Sequence, residues 1–138
     1  LLRERHHAAL LIGADAPQLT VRLLAEAAEW LATTRCSNVI GRADDGGFWI
    51  FGGNYPIEST AWTSVEYSRE DTAARFVAAI GTRSRWKEVE RLRDIDIAED
   101  IPVAVEALSS LHDPTPAQSR LLEWLMNLPA ASKECAWP

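Results

Sequence analysis

Apolar side chains recur at helical spacing along most of the chain, and this periodicity constrains the fold more than any other feature. In the clearest segment they occupy one helix face, at Ala73, Phe76, Val77 and Ile80, and Gly81 is a natural stop. The sequence therefore predicts an all-α fold of packed helical hairpins, with 1–138 as a single domain. The other predicted helices cover 3–12, 15–33, 60–67, 85–93, a segment after Asp100 and a final segment after Thr115. Asp15 is the predicted N-cap of the helix over 15–33, and Thr115 and Gln118 form a predicted capping box at the start of the final helix.

One segment, 37–55, interrupts the helical pattern. Two short runs rich in β-branched and aromatic residues, 39–40 and 48–51, flank Asp44-Asp45-Gly46-Gly47. Asp-Gly between apolar runs is typical of a β-hairpin, because glycine adopts positive φ at little cost. We expect a small hairpin-like insert here. Since strands and helices do not alternate along the chain, a Rossmann-type sheet is not expected.

Composition indicates a globular protein and argues against two classes of partner. The 138 residues are 47% apolar and 25% charged, and the net charge of −6 disfavours nucleic acid, which is bound by excess Lys and Arg. No apolar run near the start approaches the length of about 20 residues that spans a membrane. Cys36 and Cys135 could pair, but a reduced, cytoplasmic protein is the simpler interpretation. The chain opens with Leu1 instead of Met, which leaves open a larger protein around it.

A weak internal repeat carries a resemblance to a known class. Glu-Trp-Leu ends one predicted helix at 29–31 and recurs at 123–125. Together with Asp-Gly-Gly-Phe-Trp at 45–49, Ser-Thr-Ala-Trp at 59–62 and Asp-Thr-Ala at 71–73, the chain resembles the α/α-toroid proteins. These are the squalene and terpene cyclases and the β subunits of protein prenyltransferases. The resemblance implies a partial toroid.

The resemblance leaves two functions open. The leading hypothesis is a non-catalytic helical binding or interaction module of a larger protein, whose partner is a protein or an apolar small molecule. The alternative is a terpene cyclase-like or prenyltransferase-like domain acting on an isoprenoid. The cyclase acid motif Asp-x-Asp-Asp corresponds to Ser68-Arg69-Glu70-Asp71, which lacks the first Asp, and the prenyltransferase zinc ligands have no counterpart. Neither a metal nor a cofactor is predicted.

Two groups of candidate site residues come from this comparison and from side-chain chemistry. Glu70 and Asp71 are the candidate catalytic acids, with a capping box started by Ser68 as the favoured structural alternative. The candidate ligand-binding residues are aromatic and lie in or after the glycine-rich insert; core packing is the favoured alternative. They are Trp49, Phe51 and Trp62.

Two charged segments complete the candidates. A basic stretch around one tryptophan is the candidate partner-binding surface, with a solvated helix face as the favoured alternative; it contains Arg83, Arg85, Trp86 and Lys87. An acidic stretch is interpreted as a solvated helix junction, with a divalent cation as the less favoured alternative. Its acids are Asp94, Asp96, Glu99 and Asp100.

Overall fold

The computed structural model describes residues 6–128, in which four strands form a single mixed sheet with helices on both faces. The strands are β1 (Ala9–Ile12), β2 (Ser37–Ala43), β3 (Phe48–Gly53) and β4 (Arg85–Leu92). The helices are α1 (Val21–Thr33), α2 (Ser59–Thr63), α3 (Thr72–Ile80), α4 (Ile101–Ser109) and α5 (Pro116–Met126), and a 3₁₀ turn at Ala98–Asp100 precedes α4.

The strand order is β1-β3-β2-β4. Strand β3 runs antiparallel to both of its neighbours, and β2 runs parallel to β4. Strands β1, β2 and β4 therefore point in the same direction, and their carboxyl ends meet at one edge of the sheet. The parallel pair needs a crossover connection, which α2 and α3 provide.

The two faces of the sheet have different cores. Helix α1 covers one face with an aliphatic stripe, Leu23, Ala27 and Leu31, which is buried among strand residues. On the opposite face, α2 and α3 enclose an aromatic cluster around the fully buried Phe76. Helices α4 and α5 pack on each other through a third apolar cluster. Burial of apolar side chains in these clusters is the main source of stability for the helices, as it is for helices in proteins generally.

A β-bulge in β3 decides which face each aromatic side chain takes. Gly41 pairs with Ile50 and Arg42 pairs with Phe48, so Trp49 is an extra residue on β3. Its indole lies against Gly41, where an added Cβ would come within 2.5 Å of the ring. The indole nitrogen donates to the Glu90 carbonyl oxygen at 3.0 Å, so the buried ring keeps its hydrogen bond.

The all-α prediction is wrong, because a sheet forms the centre of the described residues. Segment 85–93, predicted as a helix, is strand β4. A second bulge adds one residue to β4 between Val89 and Leu92. These two side chains are therefore three residues apart, as on a helix, and yet are buried on the same α1 face of the sheet. Trp86, the third member of the apparent stripe, lies on the opposite face. The predicted helix over 3–12 is also wrong, since Ala9–Ile12 is strand β1.

Several predictions made from local sequence signals agree with the structure, although the predicted fold class does not. The hairpin at 37–55 is confirmed, although it forms the centre of a larger sheet instead of a small insert. The Thr115 capping box is confirmed: Thr115 and Gln118 each accept the other's backbone N–H. Helix α3 ends at Gly81 as predicted. No helix within 6–128 is long and apolar enough to cross a bilayer.

Candidate functional site

Acidic residues lie in the segments that follow each of the three strands of common direction. Asp15 follows β1, Asp45 follows β2, and Asp94 and Asp96 follow β4. The carboxylates of Asp45, Asp94 and Asp96 each place an oxygen within 4.8 Å of the other two. In open α/β sheets ligands bind outside the carboxyl ends of the strands, and this edge is therefore the candidate site.

Backbone hydrogen bonds hold these segments together. The amide of Ile95 donates to the Asp15 carbonyl at 3.0 Å, which ties the segment after β1 to the segment after β4. In the turn after β2, the Gly47 amide donates to Asp45 Oδ1 at 2.7 Å. Gly46 in the same turn has φ of 94° and leaves no room for a Cβ, which would collide with the Glu70 backbone. The position of Asp45 is thus set by a turn that only glycine can make.

The electrostatics of the cluster are unfavourable in the absence of a cation. Burial raises the pKa of Asp94, and the negative charges of Asp45, Asp15 and Asp96 add to this effect, so that the pKa reaches about 6. One oxygen of Asp94, Oδ1, is buried and has no hydrogen-bond partner among residues 6–128. Since a buried polar atom without a partner costs free energy, these like charges indicate that the site is built to receive something positive.

The carboxylates suit a hard divalent cation. Magnesium, manganese and calcium prefer carboxylate oxygens, and three converging carboxylates leave further positions for water or substrate phosphates. Asp94, Asp45 and Asp96 would be the ligands, and Asp15 lies close enough to raise the pKa of Asp94.

The acidic stretch singled out in the sequence divides into two parts. Asp94 and Asp96 belong to the cluster, whereas the buried Asp100 is structural. Burial would raise the pKa of Asp100, but hydrogen bonds from Arg93 and from the amides of Asp96 and Ile97 outweigh it and lower the pKa overall. Arg93 Nη2 donates to Asp100 Oδ1 at 2.6 Å. Asp100 therefore shapes the loop that carries Asp96.

The candidate catalytic acids, Glu70 and Asp71, lie beside the turn that carries Asp45. Both precede α3, whose Ala73 amide donates to the Gly46 carbonyl at 2.9 Å. A hydrogen bond from Arg75, with a second from Arg69, outweighs desolvation and lowers the pKa of Asp71. Their catalytic role stays a prediction.

The capping box proposed at Ser68 is wrong. Helix α3 begins at Thr72, and its N-cap Asp71 makes no side-chain capping bond. Ser68 has φ of 60° and lies outside the helix. The Thr72 hydroxyl instead accepts the Arg69 amide and donates to the Glu66 carbonyl, so a residue inside the helix closes this turn.

The candidate ligand-binding aromatics do not form one wall. Phe51 and Trp62 are in contact, with ring centroids 5.4 Å apart, and both line a small cavity of about 260 Å³. Trp49 lies on the other face of the sheet because of the bulge. Binding of a ligand at Phe51 and Trp62 stays a prediction.

The candidate partner-binding residues lie on and just before β4, on an edge of the sheet. Lys87 forms an ion pair with Glu26 at 2.9 Å, and the Trp86 indole donates to the Gly81 carbonyl at 3.3 Å. Arg83 and Arg85 are exposed. These two arginines are therefore the members most available to a partner, whose existence stays a prediction.

Sequence reasoning missed Asp15 and Asp45 as site residues. The sequence explains Asp45 as a turn residue and predicts Asp15 as a helix N-cap; the second prediction is wrong, since Thr20 caps helix α1. The available signal was position: each acid follows an apolar strand closely. These acids can be assigned to one site only if β1 and β4 are recognised as strands that run parallel to β2.

Comparison with known proteins gives a family and a fold. Residues 1–69, half of the chain, match the family described as "Uncharacterized protein conserved in bacteria (DUF2064)", and the chain belongs to this family. Its fold is similar to the crystal structure of a protein from Desulfovibrio desulfuricans G20 provisionally assigned as a nucleotide-diphospho-sugar transferase. The TM-score is 0.66 at 18% identity, and the match covers 91% of this chain but 55% of that one. No curated protein matches the sequence.

These findings correct the family and function inferred from the repeat. The chain is not an α/α-toroid protein, since its family and its mixed α/β sheet are different. The two Glu-Trp-Leu segments lie in α1 and α5, which pack against different cores. Both the non-catalytic helical module and the terpene cyclase-like or prenyltransferase-like domain rested on that helical fold, and both are withdrawn.

Proposed function

We propose that this DUF2064 chain supplies the cation-binding edge of a transferase that acts on a nucleotide diphospho-sugar. The observation that carries the proposal is the cluster of Asp45, Asp94 and Asp96, whose carboxylates converge at the carboxyl ends of parallel strands. The fold of the Desulfovibrio protein supports the substrate class. Because the chain spans about half of that protein's length, the activity of a whole enzyme is part of the proposal.

The chemistry follows from charge. A diphosphate group is strongly anionic and would be repelled by bare carboxylates, so the cluster can meet such a substrate only through a shared cation. A divalent cation held there would offset the negative charge that develops on the diphosphate as its bond to the sugar breaks. Asp45, Asp94 and Asp96 would hold and orient the ion, and the buried Oδ1 of Asp94 would then gain a partner.

The first test measures cation binding to the whole chain. Mn²⁺ is titrated into the protein and the free ion is followed by electron paramagnetic resonance. We expect one ion per chain, and Asp45→Asn should weaken binding by about tenfold or more, since it removes a ligand. Asp44→Asn is the matched control, because Asp44 lies in the same turn but outside the cluster. This variant should bind Mn²⁺ as tightly as the wild type does.

The second test concerns the substrate. Uridine and guanosine diphospho-sugars are titrated calorimetrically into the protein with and without Mn²⁺. Linkage requires that a substrate bridged by the cation binds more tightly when the cation is present, and that it raises Mn²⁺ affinity by the same factor. Mn²⁺ binding that is unaffected by Asp45→Asn, or nucleotide-sugar binding that does not depend on the cation, would remove the proposal.

The location is proposed as the cytoplasm. Cys36 is exposed, and a reducing compartment would keep such a thiol unpaired. Its suggested pairing with Cys135 concerns a residue outside the described range.

A further inference from the structure

An open groove of about 850 Å³ begins at the acidic cluster and runs between the segment after β4 and helix α5. Asp15 and Asp96 are among its lining residues, and because Asp96 is a proposed cation ligand, the groove adjoins the proposed cation site. Apolar side chains also line it, among them Ile101, Leu121 and Leu125. The volume is in the range of small-molecule sites.

Two large apolar side chains are exposed in this groove. Trp124 on α5 is 60% exposed and Ile97 is 58% exposed. The packing of α4 against α5 does not depend on these two side chains, because Ala104, Leu108 and Leu125 form the core between the helices. Exposed aromatic surface beside a polar site is typical of a wall that stacks against a ligand.

The charge of the groove restricts what it can hold. Its charged lining residues are all acidic, Asp15, Asp96 and Glu99, and no Lys, Arg or His of 6–128 lines it. A phosphate placed there would lie against carboxylates with no cation of the protein to offset the repulsion. The anionic part of a substrate is therefore expected to stay at the metal, and the groove is left for a group without negative charge.

We infer that this groove is the acceptor subsite and takes an uncharged acceptor whose ring face stacks on Trp124 while a hydroxyl reaches the cation site. The inference rests on the proposed function and adds the acceptor class: a neutral glycoside or aryl alcohol, and not a sugar phosphate. In the transfer, the acceptor oxygen bonds to the sugar carbon, and the bond from that carbon to the diphosphate oxygen breaks. The hydroxyl proton passes to water, and the nucleoside diphosphate leaves with the bonding electron pair.

The test uses phenyl β-D-glucopyranoside as the neutral probe and glucose 1-phosphate as the charged one. Binding to the whole chain is measured by ligand-observed NMR, both in EDTA and in Mg²⁺. Trp124→Ala should weaken binding of the phenyl glucoside by about tenfold, as expected for loss of an aromatic anchor. Met126→Ala is the matched control, because Met126 is exposed on the same helix but lines a different cavity, and it should change affinity by less than about twofold.

The two proposals fail separately. In EDTA, glucose 1-phosphate should show no Trp124-dependent binding; if it binds the groove as well as the glucoside does, the charge argument is wrong. A glucoside that does not bind, or that binds equally to Trp124→Ala, overturns the acceptor subsite while leaving the cation site standing. Trp124→Ala should retain Mn²⁺ affinity, whereas absence of Mn²⁺ binding in the wild type refutes the cation site itself.

Discussion

Polar side chains are paired with one another at one end of the sheet and repel one another at the other end. At the amino ends of β2 and β4, the fully buried Asn38 donates from Nδ2 to the Tyr55 and Ser84 hydroxyls at 2.7 and 2.8 Å. Asn54 accepts the Ser37 amide at 2.8 Å and donates to the Leu31 carbonyl at 2.8 Å. At the carboxyl ends, three carboxylates face one another instead.

This difference separates a structural role from a functional one. The asparagine network matches donors with acceptors, and only Asn38 Oδ1 lacks a partner within the described range. Such networks stabilise one arrangement of the chain. The carboxylate cluster has mutually repelling groups and a raised Asp94 pKa, which lowers stability in the absence of a cation. Unfavourable electrostatics retained at one edge of a sheet are typical of a binding site.

The largest effect is expected at the amino end. Asn54→Ala removes the acceptor of the Ser37 amide and the donor to the Leu31 carbonyl, so we expect a loss of unfolding free energy of about 2–3 kcal/mol in urea denaturation. Mn²⁺ affinity should not change. Asn127→Ala is the control, because its bond to the Glu123 carbonyl is at an exposed helix end. A loss of unfolding free energy no larger than that of the control would contradict the structural role assigned to the amino end of the sheet.

A smaller effect, opposite in sign, is expected at the carboxyl end. The folded-state pKa of Asp94 is about 6, above its ordinary value of 3.8, so folding is favoured when this group is protonated. Its contribution to stability is present below about pH 4 and is lost as the pH rises through 6. Asp94→Asn resembles the protonated form, and it should stabilise the cation-free protein at pH 7.5 by about 1 kcal/mol after allowance for solvent screening.

The measurement for Asp94→Asn is urea denaturation in EDTA at several pH values. The gain over the wild type should disappear near pH 4, where both proteins carry a neutral group. Asp44→Asn should show no such pH dependence. A destabilising Asp94→Asn at pH 7.5 would mean that the carboxylate makes favourable contacts, contrary to the comparison.

The smallest effect is expected at Asp71. This carboxylate forms ion pairs with Arg75 at 2.6 Å and with Arg69 at 3.3 Å, but all three side chains are about half exposed. Exposed ion pairs contribute little, so Asp71→Asn should leave both the urea midpoint and Mn²⁺ affinity unchanged. A loss of Mn²⁺ affinity would mean that the cation site includes the segment before α3, and it would support Asp71 as an active-site acid.

Local structure could be predicted where a few neighbouring residues decide it. The glycine turn after β2, the Thr115 cap and the stop at Gly81 each depend on residues close in sequence, and all three are present. Strand β4 could not be identified, because its bulge spaces Val89 and Leu92 as a helix would.

The site was beyond sequence reasoning for a related reason. Asp45 and Asp94 are brought together by the pairing of β2 with β4, a parallel contact that local periodicity does not show. With β4 taken for a helix, the acids after it were interpreted as a solvated junction. The error in one element thus hid both the sheet and the cluster at its edge.

The central claim is that the carboxyl edge of the sheet holds a divalent cation. Crystals of the chain grown with MnCl₂ would test it directly through the anomalous scattering of manganese. We predict an anomalous peak about 2.1–2.2 Å from carboxylate oxygens of Asp45, Asp94 and Asp96, as expected for a small divalent ion bound to oxygen. Fully occupied manganese elsewhere on the molecule, with none between these three carboxylates, would contradict the account.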